Sequence, residues 1–129
     1  MRKPWNARVV IAVVVAAALT TAVPAFADGN EVDRRGPCSG RSDWRLRVRR
    51  EDDGHLRVRF EIEGGASGQE WHVFMSDNGI GIFSGTRTSG SGGHVEVRIH
   101  LKDRPGPDAV KAAANDVVTG ETCSGRATL

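Results

Sequence analysis

Apolar residues occupy every second position in two successive stretches near the middle of the chain. They are Trp44, Leu46 and Val48 in the first stretch, and Leu56, Val58, Phe60 and Ile62 in the second. This alternation predicts two β-strands, each with one face in a core and the other in solvent. The Asp53-Gly54 pair between them predicts a turn that folds the second strand back on the first.

A second hairpin is predicted around Asn78-Gly79, a dipeptide that favours a two-residue type I′ turn. The cross-strand pairs expected with these two residues at the tip are Phe74 with Phe83, His72 with Gly85, and Glu70 with Arg87. The core side of this hairpin is then formed by Trp71, Val73, Met75, Ile80 and Ile82. The two phenylalanines are predicted to lie side by side on its outer side.

The rest of the chain continues the alternation, most clearly at Val95, Val97, Ile99 and Leu101. Residues 108–116 are alanine-rich, which favours a helix, but Val110, Ala112 and Ala114 also fit a strand. We prefer the strand, because small inward residues suit close packing against an opposing sheet. Seven strands are thus predicted, at about 44–50, 55–63, 69–77, 80–88, 93–102, 108–116 and 121–129.

Seven short strands at regular spacing, with Trp71 on the third, predict an all-β fold. We expect an immunoglobulin-like antiparallel β-sandwich of about seven strands, and a small β-barrel is the alternative. The cysteine pair that joins the second and sixth strands of many such domains is not present in this pattern.

The N-terminus has the pattern of a secretory signal peptide. Basic residues precede an apolar run of 11 residues from Val9 to Leu19, and an A-x-A cleavage site follows at Ala25-Phe26-Ala27. The run is shorter than the ~20 residues that span a bilayer, so we expect no membrane span after cleavage. The predicted organisation is a signal peptide at 1–27, a flexible leader at 28–37 and the β-sandwich domain at 38–129.

Cleavage would change both the charge and the redox compartment. The whole chain carries a formal net charge of +2, whereas residues 28–129 hold 15 basic and 16 acidic residues, a net charge of −1. A general attraction to nucleic acid is therefore not expected. Cys38 and Cys123 are the only two cysteines, and an even count in an exported chain predicts a disulfide between them.

The solvent side of the first predicted hairpin carries a stripe of arginines. Its members are Arg45, Arg47, Arg49, Arg57 and Arg59. Guanidinium groups suit phosphate, sulfate and polyanionic wall polymers, so these five are candidate anion-binding residues. The alternative is a solvated face, partly neutralised by Glu61 and Glu63, whose charge discourages edge-to-edge aggregation.

The outer side of the second hairpin is the other candidate surface. Its candidate partner-binding residues are Phe74, Phe83, His72, Glu70 and Arg87. An exposed aromatic pair beside charged residues is typical of a protein interface. The alternative is that the leader or the glycine-rich loops cover the pair.

No catalytic, cofactor or metal site is predicted. His94 and His100 are ~20 Å apart along one strand, and His55 and His72 lie on other strands. The serines lie in loops without an orienting histidine and acid, so we expect no enzyme activity. A protease inhibitor that presents Arg87 or Arg104 as bait is a further alternative.

Several segments resemble small exported proteins of high-GC Gram-positive (actinobacterial) bacteria. They are Cys38-Ser39-Gly40 with Asp43-Trp44, Gly68-Gln69-Glu70-Trp71, Gly85-Thr86-Arg87-Thr88 and Thr119-Gly120-Glu121-Thr122-Cys123. The excess of 15 arginines over 3 lysines fits such a source. The resemblance covers nearly all of residues 28–129 and implies export and a sandwich fold, without an assigned activity. We therefore expect a secreted, non-catalytic binding or structural protein, free or cell-wall-associated, whose partner is an unidentified protein or wall component.

Overall fold

A computed structural model describes residues 29–129, and the predicted signal peptide lies outside these residues. Eight strands form in this range: β1 (Glu31–Pro37), β2 (Asp43–Arg50), β3 (His55–Glu63), β4 (Glu70–Asp77), β5 (Ile80–Thr88), β6 (Val95–Lys102), β7 (Ala109–Asp116) and β8 (Thr122–Thr128). One short 3₁₀ turn at Ser91–Gly93 precedes β6. No helix among the described residues is long and apolar enough to cross a membrane.

The strands form two antiparallel four-stranded sheets that pack face to face. Sheet 1 has the order β1-β2-β3-β6, and sheet 2 has the order β5-β4-β7-β8. The chain passes from one sheet to the other after β3, after β5 and again after β6, which is a connectivity typical of immunoglobulin-like sandwiches. The predicted sandwich is therefore confirmed, with eight strands rather than seven and without closure into a barrel.

The core lies between the sheets and confirms the predicted alternation. Sheet 1 contributes Leu46, Val48, Leu56, Val58, Phe60 and Ile62, all fully buried. Sheet 2 contributes Trp71, Val73, Met75, Val110, Ala112 and Ala114. Burial of each large apolar side chain stabilises the fold by about 1.5–3 kcal/mol. The strand preferred for 108–116 is confirmed as β7, whose small residues face the core.

Two glycines make room for a large side chain at one edge of the sandwich. Gly36 on β1 and Gly125 on β8 both lie against the indole of half-buried Trp44. A Cβ atom at Gly125 would stand 2.5 Å from the Trp44 ring, closer than any side chain can pack. The β1 and β8 edges can approach each other because neither strand carries a side chain at this point.

The predicted disulfide is confirmed at this same edge. Cys38 directly follows β1, Cys123 lies on β8, and their sulfurs are bonded across a Cα–Cα distance of 4.4 Å. The bond closes a loop with a sequence separation of 85 residues. The two sheets are therefore covalently joined where the Trp44 ring fills the gap between them.

The prediction of a flexible leader at 28–37 is wrong from Glu31 onward. Residues Glu31–Pro37 form β1, which pairs along its whole length with β2. Only Val32 points into the core, so the segment lacks the apolar alternation that reveals the other strands. Backbone hydrogen bonds to β2 and a salt bridge between Asp33 and Arg45 hold β1 in place.

The predicted register of the β4–β5 hairpin is wrong beyond its first pairs. Asn78 and Gly79 form the turn with φ of 49° and 81°, as expected for type I′. A β-bulge between Met75 and Ser76 then shifts the pairing by one residue. As a result Phe74 faces Ser84, His72 faces Thr86 and Glu70 faces Thr88, while Phe83 faces Met75 and Arg87 faces Trp71.

Candidate functional site

The outer face of sheet 1 brings five arginines together on three neighbouring strands. We call this set the arginine cluster: Arg47, Arg49, Arg57, Arg59 and Arg98. The strand register places them in two rows, because Arg47 pairs with Arg59 and Arg59 pairs with Arg98, while Arg49 pairs with Arg57. The side chains of one row lie ~5 Å apart on the same face of the sheet.

The arginine cluster borders a shallow depression of about 430 Å³. Besides the five arginines, the depression is lined by Glu31, Ile99 and His100. Glu31 is the only acidic residue in this lining, so basic side chains predominate in it although the chain as a whole is close to neutral.

Four of the five predicted anion-binding residues belong to the cluster, and Arg45 does not. Arg45 makes a two-pronged contact with Asp33, with distances of 2.9 Å from Nε to Oδ1 and 2.6 Å from Nη2 to Oδ2. The hydrogen bond from Arg45 lowers the pKa of Asp33. Arg45 also pairs across the sheet with Glu61, so its charge is already used within the protein.

Sequence reasoning missed Arg98. Its strand was predicted, and the alternation of Val97 and Ile99 turns Arg98 to the solvent side. Its membership of the cluster depends on the pairing of β3 with β6, which are far apart in the chain. A local sequence pattern does not show which strands pair, so it could not identify Arg98 as a neighbour of Arg59.

Acidic residues contact three members of the arginine cluster, which are Arg57, Arg59 and Arg98. Arg59 lies 2.5 Å from Glu61 and 2.7 Å from Glu96, and Arg98 also pairs with Glu96. Burial opposes ionisation of Glu96, but the hydrogen bond from Arg98 and the charge of Arg59 outweigh it and lower the pKa of Glu96. Arg57 contacts Glu51 at 2.6 Å.

The two cluster members on β2 are less neutralised. Arg47 has only long contacts, 3.7 Å to Glu31 and 3.9 Å to Asp33. Its Nε is buried and has no hydrogen-bond acceptor among residues 29–129. Arg49 is exposed and forms no ion pair with any carboxylate in the same part of the chain. These two guanidinium groups therefore retain donors for an external anion.

The outer face of sheet 2 has a different character. Phe74 lies at the centre of this face and is 52% exposed. Its neighbours across the sheet are Ser84 on β5 and Ala113 on β7. The adjacent row carries His72 between Thr86 and Asn115. A shallow depression of about 540 Å³ covers both rows, and its lining contains no charged side chain apart from His72 when that histidine is protonated.

The predicted aromatic pair on this face is wrong. The bulge turns Phe83 to the core side of β5, where it is half-buried and packs against the core. Arg87 lies on the same side, with its guanidinium carbon 4.9 Å from the centre of the Phe83 ring. Of the five predicted partner-binding residues, Phe74, His72 and Glu70 therefore stay on the outer face, and Phe83 and Arg87 leave it.

The expectation that the histidines lie apart is wrong for one pair. His55 on β3 and His100 on β6 stack with ring centroids 4.4 Å apart, next to Asp53. His94 lies beside Glu61 and Glu96 at the other end of the same face. His72 is on sheet 2, away from both groups.

A buried acidic group lies where the β4–β5 and β6–β7 connections meet. Asp108 is 1% exposed and contacts Arg50 Nη2 at 3.4 Å. Burial, together with the nearby charges and hydrogen bonds of Asp77 and Asp103, raises the pKa of Asp108 to about 6. This carboxyl group supports the loops and does not open onto either outer face.

No protein-family model, no curated protein and no solved structure matches this chain.

Proposed function

We propose that this protein is a secreted, non-catalytic binding protein that uses the arginine cluster to hold an anionic polymer. The partly exposed Arg47 and the exposed Arg49, whose guanidinium groups lack close acceptors among the described residues, carry this proposal. A guanidinium binds phosphate, sulfate or carboxylate through two parallel hydrogen bonds. The rows of the cluster repeat these donors along the sheet, which suits a repeating anion better than a single small one.

The disulfide between Cys38 and Cys123 supports export, because such bonds persist in oxidising compartments. The setting also supports a wall or matrix polymer as the ligand, since such polymers are rich in phosphate, sulfate or carboxylate groups. Glu61 and Glu96 at one side of the cluster would repel an anion and so limit how it lies on the sheet.

Retention on immobilised heparin and on immobilised polyphosphate tests this proposal. We expect binding at low ionic strength that weakens by about 50–150-fold for a fourfold rise in salt, as four phosphate contacts would cause. The variant Arg47→Ser/Arg49→Ser/Arg57→Ser should lose retention on both supports. The control is Lys111→Ser/Arg126→Ser, which removes two positive charges from the outer face of sheet 2 and should still bind.

Equal loss in both variants would mean that net charge, rather than the cluster, governs retention. Absence of retention by the unaltered protein at 20 mM salt would reject the proposal.

A protein partner on sheet 2 is the second candidate function, and the 52% exposure of Phe74 is the observation that favours it. Phe74→Ser should then abolish a contact without lowering stability. Analytical ultracentrifugation of both forms, with capture from culture supernatant, would test this. The protease-inhibitor alternative is weaker for Arg87, because this residue lies in β5 against Phe83 and not in a loop; Arg104 remains in an exposed turn.

A further inference from the structure

Asp53, His55 and His100 converge at one end of the outer face of sheet 1. Asp53 lies in the turn between β2 and β3, and His55 is the first residue of β3. His100 lies on β6, directly across from Arg57, so it is a diagonal neighbour of His55. Antiparallel pairing thus brings together three residues that span nearly half of the domain in sequence.

The side-chain atoms of this group have the spacing of metal ligands. His55 Nδ1 is 3.1 Å from Asp53 Oδ1, and His100 Nε2 is 3.9 Å from Asp53 Oδ2. One ligand atom from each residue lies within 4.8 Å of the other two. Ligands bound at ~2.0–2.2 Å to one ion are separated by up to about 4.4 Å, so small side-chain rotations would close the site.

His55 Nδ1 adds an independent indication. This atom is buried, and despite its distance from Asp53 it has no hydrogen-bond partner of acceptable geometry among residues 29–129. A buried polar nitrogen without a partner costs free energy. Coordination of a metal ion would satisfy the lone pair of the neutral imidazole.

We propose that Asp53, His55 and His100 form a binding site for one divalent transition-metal ion of the Zn²⁺, Cu²⁺ or Ni²⁺ class. Imidazole nitrogen is the preferred donor for these ions, whereas Ca²⁺ and Mg²⁺ favour oxygen ligands. Three protein ligands leave at least one coordination position open for water or for an external donor. This site is separate from the arginine cluster, although His100 also lines the depression beside it.

The second histidine group on the same face is a poorer site. Glu61, His94 and Glu96 have suitable spacing, but Arg59 already contacts both carboxylates, at 2.5 Å and 2.7 Å. A guanidinium in this position repels a metal cation and occupies the lone pairs that it would need. In the described part of the chain, the ion-pair contacts of Asp53 are with His55 and His100 alone.

Titration of the untagged protein with Zn²⁺ and with Cu²⁺ tests the site, with isothermal calorimetry as the measurement. We expect one ion per molecule and a higher unfolding temperature in the presence of metal. His100→Gln should weaken metal binding by at least ~10-fold. Loss of a residue that only supports a ligand already lowers metal affinity by about 10–100-fold, and loss of a ligand should cost no less. Because His100 is exposed, this variant should fold normally.

The controls are His94→Gln and His72→Gln, which replace the two histidines of the chain that lie outside the proposed site. Both controls should bind like the unaltered protein, and Asp53→Asn should bind more weakly. Binding should also weaken as the pH falls, because the ligand atoms must be deprotonated to coordinate a metal ion. The proposal is overturned if neither ion binds saturably, if His100→Gln binds normally, or if His94→Gln removes the binding.

Discussion

The two outer faces of this sandwich differ far more than the two inner faces. Both sheets present apolar residues to one shared core. Outside, sheet 1 carries arginines, carboxylates and histidines at almost every paired position, whereas the centre of sheet 2 carries serine, threonine, alanine, asparagine, one histidine and one exposed phenylalanine. Because the core constrains only the inward positions, the outward positions are free to vary, and their contrast carries information about function.

The outer faces of sheet 1 and sheet 2 also suit two different kinds of binding partner. On sheet 1, salt bridges join β1 to β2 and β3 to β6, and a depression lined by arginines remains on this face. On sheet 2, the exposed surface around Phe74 offers shape and apolar area, with little charge. The first surface fits an anion, and its binding should depend on salt; the second fits a neutral partner, and its binding should not.

The largest loss of stability is expected from removal of the disulfide that joins the two sheets at one edge of the sandwich. Replacement of both cysteines, Cys38→Ser/Cys123→Ser, should lower the free energy of unfolding by about 4–5 kcal/mol, because an ~85-residue loop is no longer closed in the unfolded chain. Urea denaturation followed by tryptophan fluorescence measures this. The unaltered protein under reducing conditions is the control and should behave like the variant. A loss below about 1 kcal/mol would mean that Trp44 packing alone holds the edge.

A matched pair of phenylalanine substitutions separates the inner side of a sheet from the outer side. Phe60→Ala removes a fully buried ring and should cost about 3–5 kcal/mol through lost burial and a cavity. Phe74→Ala alters a ring that is 52% exposed and should cost less than about 1 kcal/mol. Chemical denaturation of both variants checks the difference. Similar costs would show that something covers Phe74 in solution.

The buried acid at the end of the sandwich should give stability a pH dependence. Its folded pKa of about 6 exceeds the ordinary value of 3.8, so the folded state holds this proton more tightly than the unfolded state. The contribution of Asp108 is therefore fully present below pH ~4 and is lost as the pH rises through ~6. The loss is at most about 3 kcal/mol. Asp108→Asn should flatten this part of the profile in denaturation experiments from pH 3.5 to pH 7.5.

The pKa shift of Asp33 has the opposite sign, so this residue serves as an internal control. The contact with Arg45 lowers its pKa, so its contribution to stability is present above pH ~4 and is lost as the pH falls further. Asp33→Asn should thus flatten only the acidic end of the profile and leave the change near pH 6 intact. A profile that Asp108→Asn leaves unchanged between pH 4 and pH 6 would contradict the assignment.

The inner side of the fold was predictable because it follows a local rule. Alternation identified seven of the eight strands, and Asn78-Gly79 identified a turn. The cysteine count predicted the disulfide. Strand β1 was not predicted because it has a single buried residue, Val32, and therefore shows no alternation. The position of β1 depends on its pairing with β2.

The outer faces were less predictable because they depend on which strands become neighbours. Arg98 joins the cluster and His100 meets His55 only because β6 pairs with β3. The predicted Phe74–Phe83 pair is wrong for a related reason. Ile82 is the extra residue of a β-bulge, which moves every later residue of β5 to the other side. Local patterns determine which side chains leave the core, but long-range pairing determines which of them meet.

The smallest effect on stability is expected from the arginine cluster itself. Arg47→Ser/Arg49→Ser/Arg57→Ser removes one exposed ion pair and two long or absent ones, while it also relieves repulsion between neighbouring guanidiniums. Exposed pairs contribute about 0–1 kcal/mol each, so the free energy of unfolding should change by less than about 1 kcal/mol, measured at 20 mM and 500 mM salt. Arg45→Ser, which breaks the two-pronged contact with Asp33, should cost at least as much alone.

The stability of the triple arginine variant bears directly on the function of the cluster. Replacement of a residue that stabilises the fold lowers the free energy of unfolding, whereas a residue that serves binding can be replaced with little effect on that free energy. A triple variant that folds normally and no longer binds polyanions would place the arginine cluster in the second class. A loss of more than about 2 kcal/mol in the same variant would make the cluster part of the scaffold of sheet 1, and the contrast between the two outer faces would then reflect stability instead of ligand binding.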